Sequence, residues 1–566
     1  MSPRKNDILN DIFDDAYALR QEIRRSGLPG RDPITLGIAS IVTAIEAGAA
    51  AVGLGTAAGI GGGAAVATGL GGAIGGAAAV GIGTGISFGW AGGLALSVGL
   101  SYAANAIQRA SMKDKGNLNA GINTPEQRLN VRQEVPPRRR VYGTPLVGGA
   151  LFFEDSVAPW YYRGFLLSDG PVDGIEEFYN SQTRINLDPT GSFSLTPPYF
   201  ERIHVNFRNG SRDQATDGVL LAQFPDLGAN FRQRGIATLV FKGHYGVTPE
   251  EREAMWGSIG RPNPYVKLRG VRVYDPRDPT QLRPTDDDDA EALEVKKLTW
   301  KHSRNASLIQ ADYLWWKNGG RIRLDRLRWD EIAESANWDD GLIETKSGEL
   351  ITRHTIDGVV TAGQAPLQVL TTMLSANRGF IARRGGHVSV ISSQPQEPRV
   401  TITDDWILSG FELRRTTPKG DTLNKLRAHM IDPRQEWQMV AGPVLVNEDY
   451  IEADGDTYEG SVQFPWTERH ERAQRLQKAA MEDTRRGRMV TLSVDHRAIG
   501  IEAGDVVRFY SEISPRARGI YRVQEVQFNY ATKSFEIAMV EYDKTVETNW
   551  TVDDEQDYEL PDLEAA

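Results

Sequence analysis

The 566-residue sequence contains no cysteine and only eight histidines. The lack of cysteine excludes disulfides, thiolate nucleophiles and cysteine-ligated zinc, so stability has to come from packing and association. No Gly-Lys dipeptide occurs, which excludes the phosphate-binding loop of the P-loop nucleotide hydrolases. No apolar run precedes residue 34, so we expect no cleaved signal peptide and synthesis in the cytoplasm.

Two short sequence patterns that are typical of enzymes lack the neighbouring residues that catalysis would need. Gly85–Gly89 has the Gly-x-Ser-x-Gly order of a hydrolase nucleophile, but it lies in a glycine-rich stretch with no acid or histidine nearby. His470–Glu471 begins a zinc-protease motif, but Gln474 occupies the position of the second histidine ligand. The sequence therefore predicts a protein that is not an enzyme, with no catalytic, cofactor-binding or metal-binding residues and no cofactor.

A basic triplet, Arg138–Arg140, directly precedes the first predicted strand. Three arginines could contact phosphate, which would be a mark of nucleic-acid binding. On a chain with a net charge of −11, however, such a triplet is more typical of a subunit interface or a solvated edge. We expect one of these two roles for it.

The N-terminal part differs in composition from the rest. Residues 6–25 place apolar side chains at three- and four-residue spacing, which predicts an amphipathic helix that packs on a subunit or, alternatively, lies on a membrane. From Ala47 to Gln108 no residue is charged, and glycine and alanine dominate. Residues 34–110 could cross a membrane twice at about 20 residues a crossing. We expect this segment to be sheltered inside an assembly, with membrane insertion or a disordered linker as open alternatives.

From residue 138 onward, short β-branched and aromatic runs alternate with Gly, Pro, Asn and Asp turns, which predicts mainly β structure with helical inserts, an α+β fold. The length favours three to five domains. Helices are expected at 305–316, 329–338, 365–377 and from a Thr467 cap to about 486; a strand is expected at 352–360, and a mobile acidic tail from 553 to 564.

We predict these units: an amphipathic helix (1–33), a Gly/Ala-rich hydrophobic segment (34–110), a linker (111–137), a β-barrel (138–245), an α+β unit (246–403), a β-barrel plus helix (404–490), a small β-barrel (491–550) and an acidic tail (551–566).

Several motifs resemble, in order, those of the central tail hub or tip attachment protein J family of long flexible-tailed bacteriophages. They cover roughly residues 125–545 of the chain. The motifs are Tyr142-Gly143, Gly148-Gly149, the Asp169–Gly174 turn, Arg269–Arg277, Asn305-Ala306-Ser307 with Ala311–Leu314, His354–Val359, the helix with Ala473 and Leu476, and Gly504–Val507. Ala306 and Ala503 stand where the family commonly has proline.

The resemblance implies a multi-domain baseplate-hub fold with tube-like β-barrels, in a homotrimer that closes the distal tail tube and adapts sixfold to threefold symmetry. It also implies contacts with the distal tail protein ring and the tape measure protein, a channel that opens for DNA ejection with DNA as passing cargo, and a place at the virion's tail tip.

Two departures from that family keep other functions open. The chain stops at Ala566, without the family's fibre region, so we expect separate tail fibre or receptor-binding proteins. The apolar segment of residues 34–110 allows an alternative, a membrane-active channel-forming tail protein that contacts the host membrane. An envelope-degrading tail enzyme is the less favoured third possibility.

Overall fold

The computed structural model describes residues 130, 132, 136–181, 183–197, 199–245, 248–256, 262–414, 422–435 and 437–558. The predicted N-terminal helix (1–33), the Gly/Ala-rich segment (34–110) and most of the linker (111–137) lie outside these residues. The prediction of mainly β structure with helical inserts is confirmed. Among the described residues, no helix has both the length and the apolar character needed to cross a membrane.

The strands and helices are given in chain order, first those up to residue 339 and then those that follow. The strands before the middle of the chain are β1 (Arg139–Tyr142), β2 (Leu146–Val147), β3 (Ala150–Val157), β4 (Trp160–Asp169), β5 (Val172–Asn180), β6 (Thr183–Ile185), β7 (Ile203–Arg208), β8 (Ile236–His244), β9 (Pro264–Val273) and β10 (Lys301–His302). The helices of this part are α1 (Gly218–Gln223), α2 (Pro249–Trp256), α3 (Ala290–Lys297), α4 (Ala306–Trp315) and α5 (Trp329–Asp339).

The remaining elements complete the fold. They are β11 (Leu342–Glu344), β12 (Leu350–Thr352), β13 (Gly358–Thr361), α6 (Pro366–Leu374), β14 (Phe380–Arg384), β15 (His387–Ile391), β16 (Val400–Thr403), β17 (Ile407–Arg414), β18 (Lys425–Asp432), β19 (Gln438–Val446), α7 (Glu448–Asp454), β20 (Glu459–Phe464), α8 (His470–Arg485), β21 (Met489–Val494), β22 (Val506–Tyr510), β23 (Gly519–Asn529) and β24 (Ser534–Glu541).

Two antiparallel sheets form the first half of the described chain. One has the order β3-β4-β8-β7, and the other has the order β10-β9-β5-β6 with β2 added beside β9. The central strand β8 is buried on both faces, because Leu239 and Phe241 join the main hydrophobic core while Val240 packs with Tyr162 and Leu220 of α1 on the other side. This explains why its sequence is apolar at nearly every position.

Helix α4, at a position where the sequence predicts a helix, lies inside the main core. All its residues from Ala306 to Leu314 are buried, so it needs no polar face. The Asn305 side chain accepts a hydrogen bond from the backbone N–H of Leu308 and caps the helix. Residues 329–339 form the second expected helix, α5, and it packs against α4 and β15.

Helix α8 packs on the three-stranded sheet β19-β18-β20. Its inner face carries Ala473, Leu476, Ala479 and Ala480, all buried, as predicted. The predicted cap at Thr467 is wrong: the helix begins at His470, its N-cap residue Arg469 makes no side-chain cap hydrogen bond, and the Thr467 carbonyl accepts from the N–H of Ile431. The backbone around Thr467 is occupied by this contact with the sheet, so the helix starts further along the chain.

The six-stranded sheet has the order β16-β22-β23-β24-β21-β17. Two of its strands, β16 and β17, precede the predicted unit of residues 491–550 in the sequence. Strand β9 likewise pairs with β5 from across the predicted boundary at residue 245. The predicted domain boundaries stay predictions, but strand pairing crosses two of them.

Two further expectations are wrong. Residues 352–360 are not one strand: β12 ends at Thr352 and β13 begins at Gly358, because the segment between them turns its polar side chains into buried hydrogen bonds. Residues 553–558 are not a mobile tail, since Asp554 pairs with Lys478 of α8 at 2.8 Å and Gln556 exchanges two hydrogen bonds with Gln474.

Candidate functional site: buried charged groups between the sheets

The first buried charged group joins strand β1 to helix α4. The Arg140 guanidinium donates to both carboxylate oxygens of Asp312 at 2.7 to 2.9 Å, and Tyr142 donates its hydroxyl hydrogen to the same carboxylate at 2.7 Å. Burial lowers the pKa of Arg140, but Asp312, Tyr142 and Asp169 together outweigh this effect, so the pKa is raised overall. The expectation of an interface or solvated edge is wrong for Arg140, because β1 is buried from Arg140 to Tyr142, whereas Arg138 precedes the strand and stays half exposed.

The Tyr142-Gly143-Thr144 turn connects this pair to a second charged group. Gly143 has φ of +66°, and its missing side chain leaves room for the backbone of Ile356 and Asp357. The N–H of Thr144 donates to the Asp357 carboxylate at 2.8 Å, and the carbonyl of Gly143 accepts from the N–H of Gly270. The glycine therefore allows β1, β9 and the segment before β13 to meet.

The second group has two carboxylates and one guanidinium. Arg304 donates to both oxygens of Asp357 at 2.6 and 2.7 Å and reaches Glu468 at 3.2 Å. The Asp357 side chain is closed off from solvent, and the second oxygen of Glu468 is buried with no hydrogen-bond partner among the described residues. Burial, followed by the charge of Asp357, raises the pKa of Glu468 to about 8. Burial also tends to raise the pKa of Asp357, but Arg304 lowers it overall.

A third group surrounds the Asp339 carboxylate at the end of α5. The hydroxyls of Ser307 and Ser392 both donate to it at 2.5 Å, and the N–H of Ser307 donates at 2.9 Å. Burial raises the pKa of Asp339 to about 6, although these hydrogen bonds oppose the shift. The carboxylate is closed to solvent, and these hydrogen bonds join α4, the end of α5 and the residue that follows β15.

One group of residues in the described chain has the composition of a metal site: His470, Glu471 and Glu555, whose ligand atoms lie within 4.8 Å of one another. Arg469 already neutralises Glu471 at 2.8 Å, and the backbone N–H of Lys346 donates to Glu555 at 3.0 Å. Gln474 directs its amide nitrogen to Nδ1 of His470, since its amide oxygen accepts from Gln556. The ligand atoms are thus held by protein donors, and the group does not support a metal site.

The sequence predicted no catalytic, cofactor or metal residues, and nothing in the described residues tests that prediction as a whole. Ser87, the serine of the Gly-x-Ser-x-Gly pattern, lies outside the described residues. The buried charges at Asp357, Glu468 and Asp312 were missed. Only one signal pointed to them: Asp357 and Asp312 fall within motifs that resemble the hub family, His354–Val359 and Ala311–Leu314.

The chain is similar to a phage tail protein family in sequence and to a chain of a gene transfer agent virion in fold. Residues 365–526 match the model of the family Phage-tail_3, described as a putative phage tail protein. In fold, the chain is similar to a chain of the virion of a native gene transfer agent particle, with a TM-score of 0.53 and 12% identity over 80% of this chain and 95% of that one. No curated protein matches the sequence significantly.

Two other solved structures align over much of the chain at a TM-score of 0.26. They are the 43 kDa tail protein of prophage MuSo2 from Shewanella oneidensis, at 9% identity over 72% of this chain and 98% of that one, and prophage tail protein gp18 from Listeria monocytogenes EGD-e, at 11% identity over 73% and 96%. No catalytic family is indicated by the matches. The tip attachment protein J family stays a prediction. In residues 365–526 the chain thus resembles a phage tail protein family, and its fold is that of a chain of a gene transfer agent virion.

Proposed function

We propose that the protein is the structural central hub of a phage tail tip. In this role it forms a homotrimer that closes the distal tail tube, adapts sixfold to threefold symmetry, contacts the tape measure protein and opens for DNA ejection. The observation that carries the proposal is the fold shared with a chain of a gene transfer agent virion over 80% of this chain, together with the phage tail match of residues 365–526.

Exposed apolar side chains at one end of the six-stranded sheet support a protein that works by assembly. Ile499 and Ile513, in loops between its strands, are 77% and 80% exposed, and Leu408 and Tyr510 are also exposed. The two loops meet the segment before β17, because Asp404 accepts from the N–H of Ile513 and Asp405 pairs with Arg497. Exposed apolar side chains gathered in one region are typical of a face that another chain covers.

The charge arrangement fits the same function. The buried Arg140–Asp312 pair, whose carboxylate oxygens are both hydrogen-bonded, fixes strand β1 against helix α4, and a subunit that keeps its shape within an assembly needs such fixed contacts. The distal tail protein ring, the tape measure protein and separate fibre proteins are the partners that this role requires. Host membrane contact through residues 34–110 belongs to the same proposal as a late step.

The proposal is tested by the oligomeric state of the full-length protein and by its position in purified phage particles. We expect a trimer by mass photometry and threefold density at the tail tip of purified particles by cryo-electron microscopy. Ile513→Asp should reduce incorporation into particles, whereas Arg516→Ser, an exposed change on the same loop, should not. A protein that stays a monomer at all concentrations and is missing from purified particles would refute the proposal.

A second variant separates the hub from a membrane-active function. Removal of residues 1–120 should leave trimerisation and ring binding in place if the β region is the hub. If the variant is a well-folded monomer while the full-length protein permeabilises liposomes, the membrane-active alternative is favoured instead.

A further inference from the structure

The hairpin of β23 and β24 carries three aromatic rings that contact one another at its turn. The centre of the Phe528 ring lies 5.0 Å from that of Tyr530 and 5.0 Å from that of Phe535, which is within the range of favourable aromatic pairs. Phe528 and Phe535 are also paired across the two strands, so their side chains lie on the same face of the sheet. The three rings therefore form one cluster, which we call the aromatic tip.

The aromatic tip leads from the core of the six-stranded sheet into solvent. Phe535 packs against this core, Phe528 is 42% exposed, and Tyr530 is 86% exposed. Among the large apolar side chains of the described residues, Tyr530 is the most exposed. Apolar side chains that are exposed next to one another mark a surface that binds a partner.

The sequence around the aromatic tip carries almost no charge. From Val526 to Phe535 the only charged residue is Lys533, and it is exposed. Glu536, which follows this stretch, accepts a hydrogen bond from the side-chain amide of Asn529 at 3.0 Å. The tip thus presents apolar rings with a single positive charge beside them, although the whole chain has a net charge of −11.

The turn uses several of its own polar groups in internal hydrogen bonds. Oδ1 of Asn529 accepts from the backbone N–H of Ala531 at 3.0 Å and from that of Thr532 at 3.3 Å. The hydroxyls of Thr532 and Ser534 bond to each other at 2.6 Å. Polar groups that are bonded in this way lose little when they leave water. They are also committed, so the turn offers few groups that could recognise the hydroxyls of a sugar.

The size of the aromatic tip argues against a second protein chain as its partner. An aromatic side chain buries about 150 to 250 Å² when it is fully covered, whereas a stable protein interface needs about 800 Å² on each partner. Phe528 and Phe535 are already partly covered, so the three rings offer less area than this. Insertion into the fluid surface layer of a bilayer has no such minimum, because each ring that leaves water contributes through its own area.

We propose that the aromatic tip inserts into the interfacial layer of a phospholipid bilayer. At this depth an aromatic ring leaves water while the hydroxyl of Tyr530 stays in contact with the headgroups. Lys533 follows in the same turn, and its positive charge is complementary to the negative phosphates of the headgroups. This contact is separate from residues 34–110. It is also independent of the proposed hub function, since it needs only the β23–β24 hairpin and not a trimer.

The absence of cysteine allows a local measurement on the full-length protein. Ala531→Cys places a single thiol beside Tyr530, and a polarity-sensitive fluorophore attached there reports whether the tip enters vesicles of phosphatidylcholine and phosphatidylglycerol. We expect its emission to shift to shorter wavelength and to be quenched by lipids that carry bromine in the upper part of their acyl chains. The matched control is Ser347→Cys, in the exposed turn between β11 and β12, where Lys346 and Glu349 are charged; its label should not respond.

Tyr530→Ser, introduced into the Ala531→Cys protein, tests the ring itself. The lipid concentration that gives half of the response should rise by about tenfold or more, because most of the exposed apolar area of the tip is lost. Thermal unfolding should stay as in the parent protein, since the ring is 86% exposed. Lys533→Ser should have a smaller effect, about fivefold, through the loss of one charge at the headgroups.

Each outcome supports or overturns the lipid contact. A shift and quenching at Ala531→Cys that are absent at Ser347→Cys and weakened by Tyr530→Ser support it. A label at Ala531→Cys that stays silent with vesicles overturns it, even where the protein binds them through another segment, and so does a response that Tyr530→Ser leaves unchanged. A label that responds to protein concentration without vesicles assigns the tip to contact between copies and overturns the lipid contact as well.

Discussion

Two buried charged groups lie at the two ends of the Tyr142-Gly143-Thr144 turn and differ in balance. In the first, one guanidinium, Arg140, meets one carboxylate, Asp312, with both acid oxygens hydrogen-bonded. In the second, Arg304 serves two carboxylates, Asp357 and Glu468, and one oxygen of Glu468 has no described partner. The first group is electrically closed, whereas in the second a single guanidinium contacts two carboxylates, with Arg472 as a further cation that acts on both.

This difference decides how each group responds to its surroundings. A closed buried ion pair holds its two elements together throughout the neutral pH range. Removal of one partner leaves the other as an uncompensated buried charge. The second, unbalanced group has more carboxylates than contacting guanidiniums, so Glu468 binds a proton more readily and the group's stability depends on pH. The same turn therefore joins a fixed contact to a proton-sensitive one.

The largest effect is expected when the closed pair is broken. Asp312→Ala leaves Arg140 buried without its acid, and the free energy of unfolding should fall by about 3 to 5 kcal/mol. Urea unfolding followed by tryptophan fluorescence measures this loss. In the double variant Arg140→Met with Asp312→Leu, no lone charge remains, and most of the stability should return. Equal losses in the single and double variants would show that packing, not charge, sets the cost.

The turn between the two groups offers the next test. A methyl group at Gly143 would meet the backbone of Ile356 and Asp357, and φ of +66° adds strain. Gly143→Ala should therefore lower the free energy of unfolding by about 2 kcal/mol or more. The matched control is Gly191→Ala, where φ is +70° but nothing lies within 4 Å, and about 1 kcal/mol is expected. Equal losses at both positions would contradict the close approach at Gly143.

The unbalanced group predicts a pH dependence. The folded-state pKa of Glu468 is about 8, above its ordinary value of 4.5, so the folded protein binds the proton more tightly than the unfolded chain does. The free energy of unfolding should therefore fall as pH rises between these two values, with a slope of at most about 1.4 kcal/mol per pH unit. Asp357, whose pKa is lowered, contributes stability that is lost only in acid, below its ordinary value of 3.8.

Unfolding is measured from pH 6.5 to 8.5 for wild type and for Glu468→Gln, which is neutral at this position throughout. Histidines whose pKa is lowered by burial, such as His354, also change the stability near pH 6.5, but both proteins contain them, so the difference between the two curves isolates Glu468. Wild type should lose stability relative to Glu468→Gln as pH rises, and a difference that does not change with pH would rule out the proton-sensitive contact.

The smallest effect is expected at the exposed end of the basic triplet. Arg138 pairs with Asp169 at 2.7 Å, but its side chain is 49% exposed. Arg138→Ala should cost about 1 kcal/mol or less, because exposed ion pairs gain little over hydration. The stability loss of Arg138→Ala is compared with that of Asp312→Ala in the same urea series. Each variant removes one charge of an ion pair, so the difference between the two losses measures the effect of burial. A loss as large as that of Asp312→Ala would contradict this.

Local pattern was sufficient where apolar residues recur at helical spacing or form a bounded run. Helix α5 and the inner face of α8 follow the spacing of apolar residues around Ile332 and Leu476, whereas helix α4 and strand β8 lie in largely apolar runs. Element ends were less predictable. Thr467 has the chemistry of a helix cap, but a contact with β18 occupies its backbone. The run of residues 352–360 has β propensity, but its central residues are held by buried hydrogen bonds from α8 and from the segment before α4.

Buried charges are the part that no local pattern could reveal. Asp312 and Arg140 are 172 residues apart, and Arg304 and Glu468 are 164 residues apart. An aspartate in a helix or an arginine in a strand is more often on the surface, so composition alone favours the exposed interpretation. Only the meeting of distant elements places each charge beside its partner.

The sequence by itself determined the fold class of the protein, mainly β structure with helical inserts, and excluded cysteine chemistry. Periodicity and turn residues carry that information because they act over a few positions. Tertiary structure decided which strands share a sheet, where α8 begins, and which acids and bases become partners. These depend on desolvation and on contacts across long stretches of chain, and no short segment contains either.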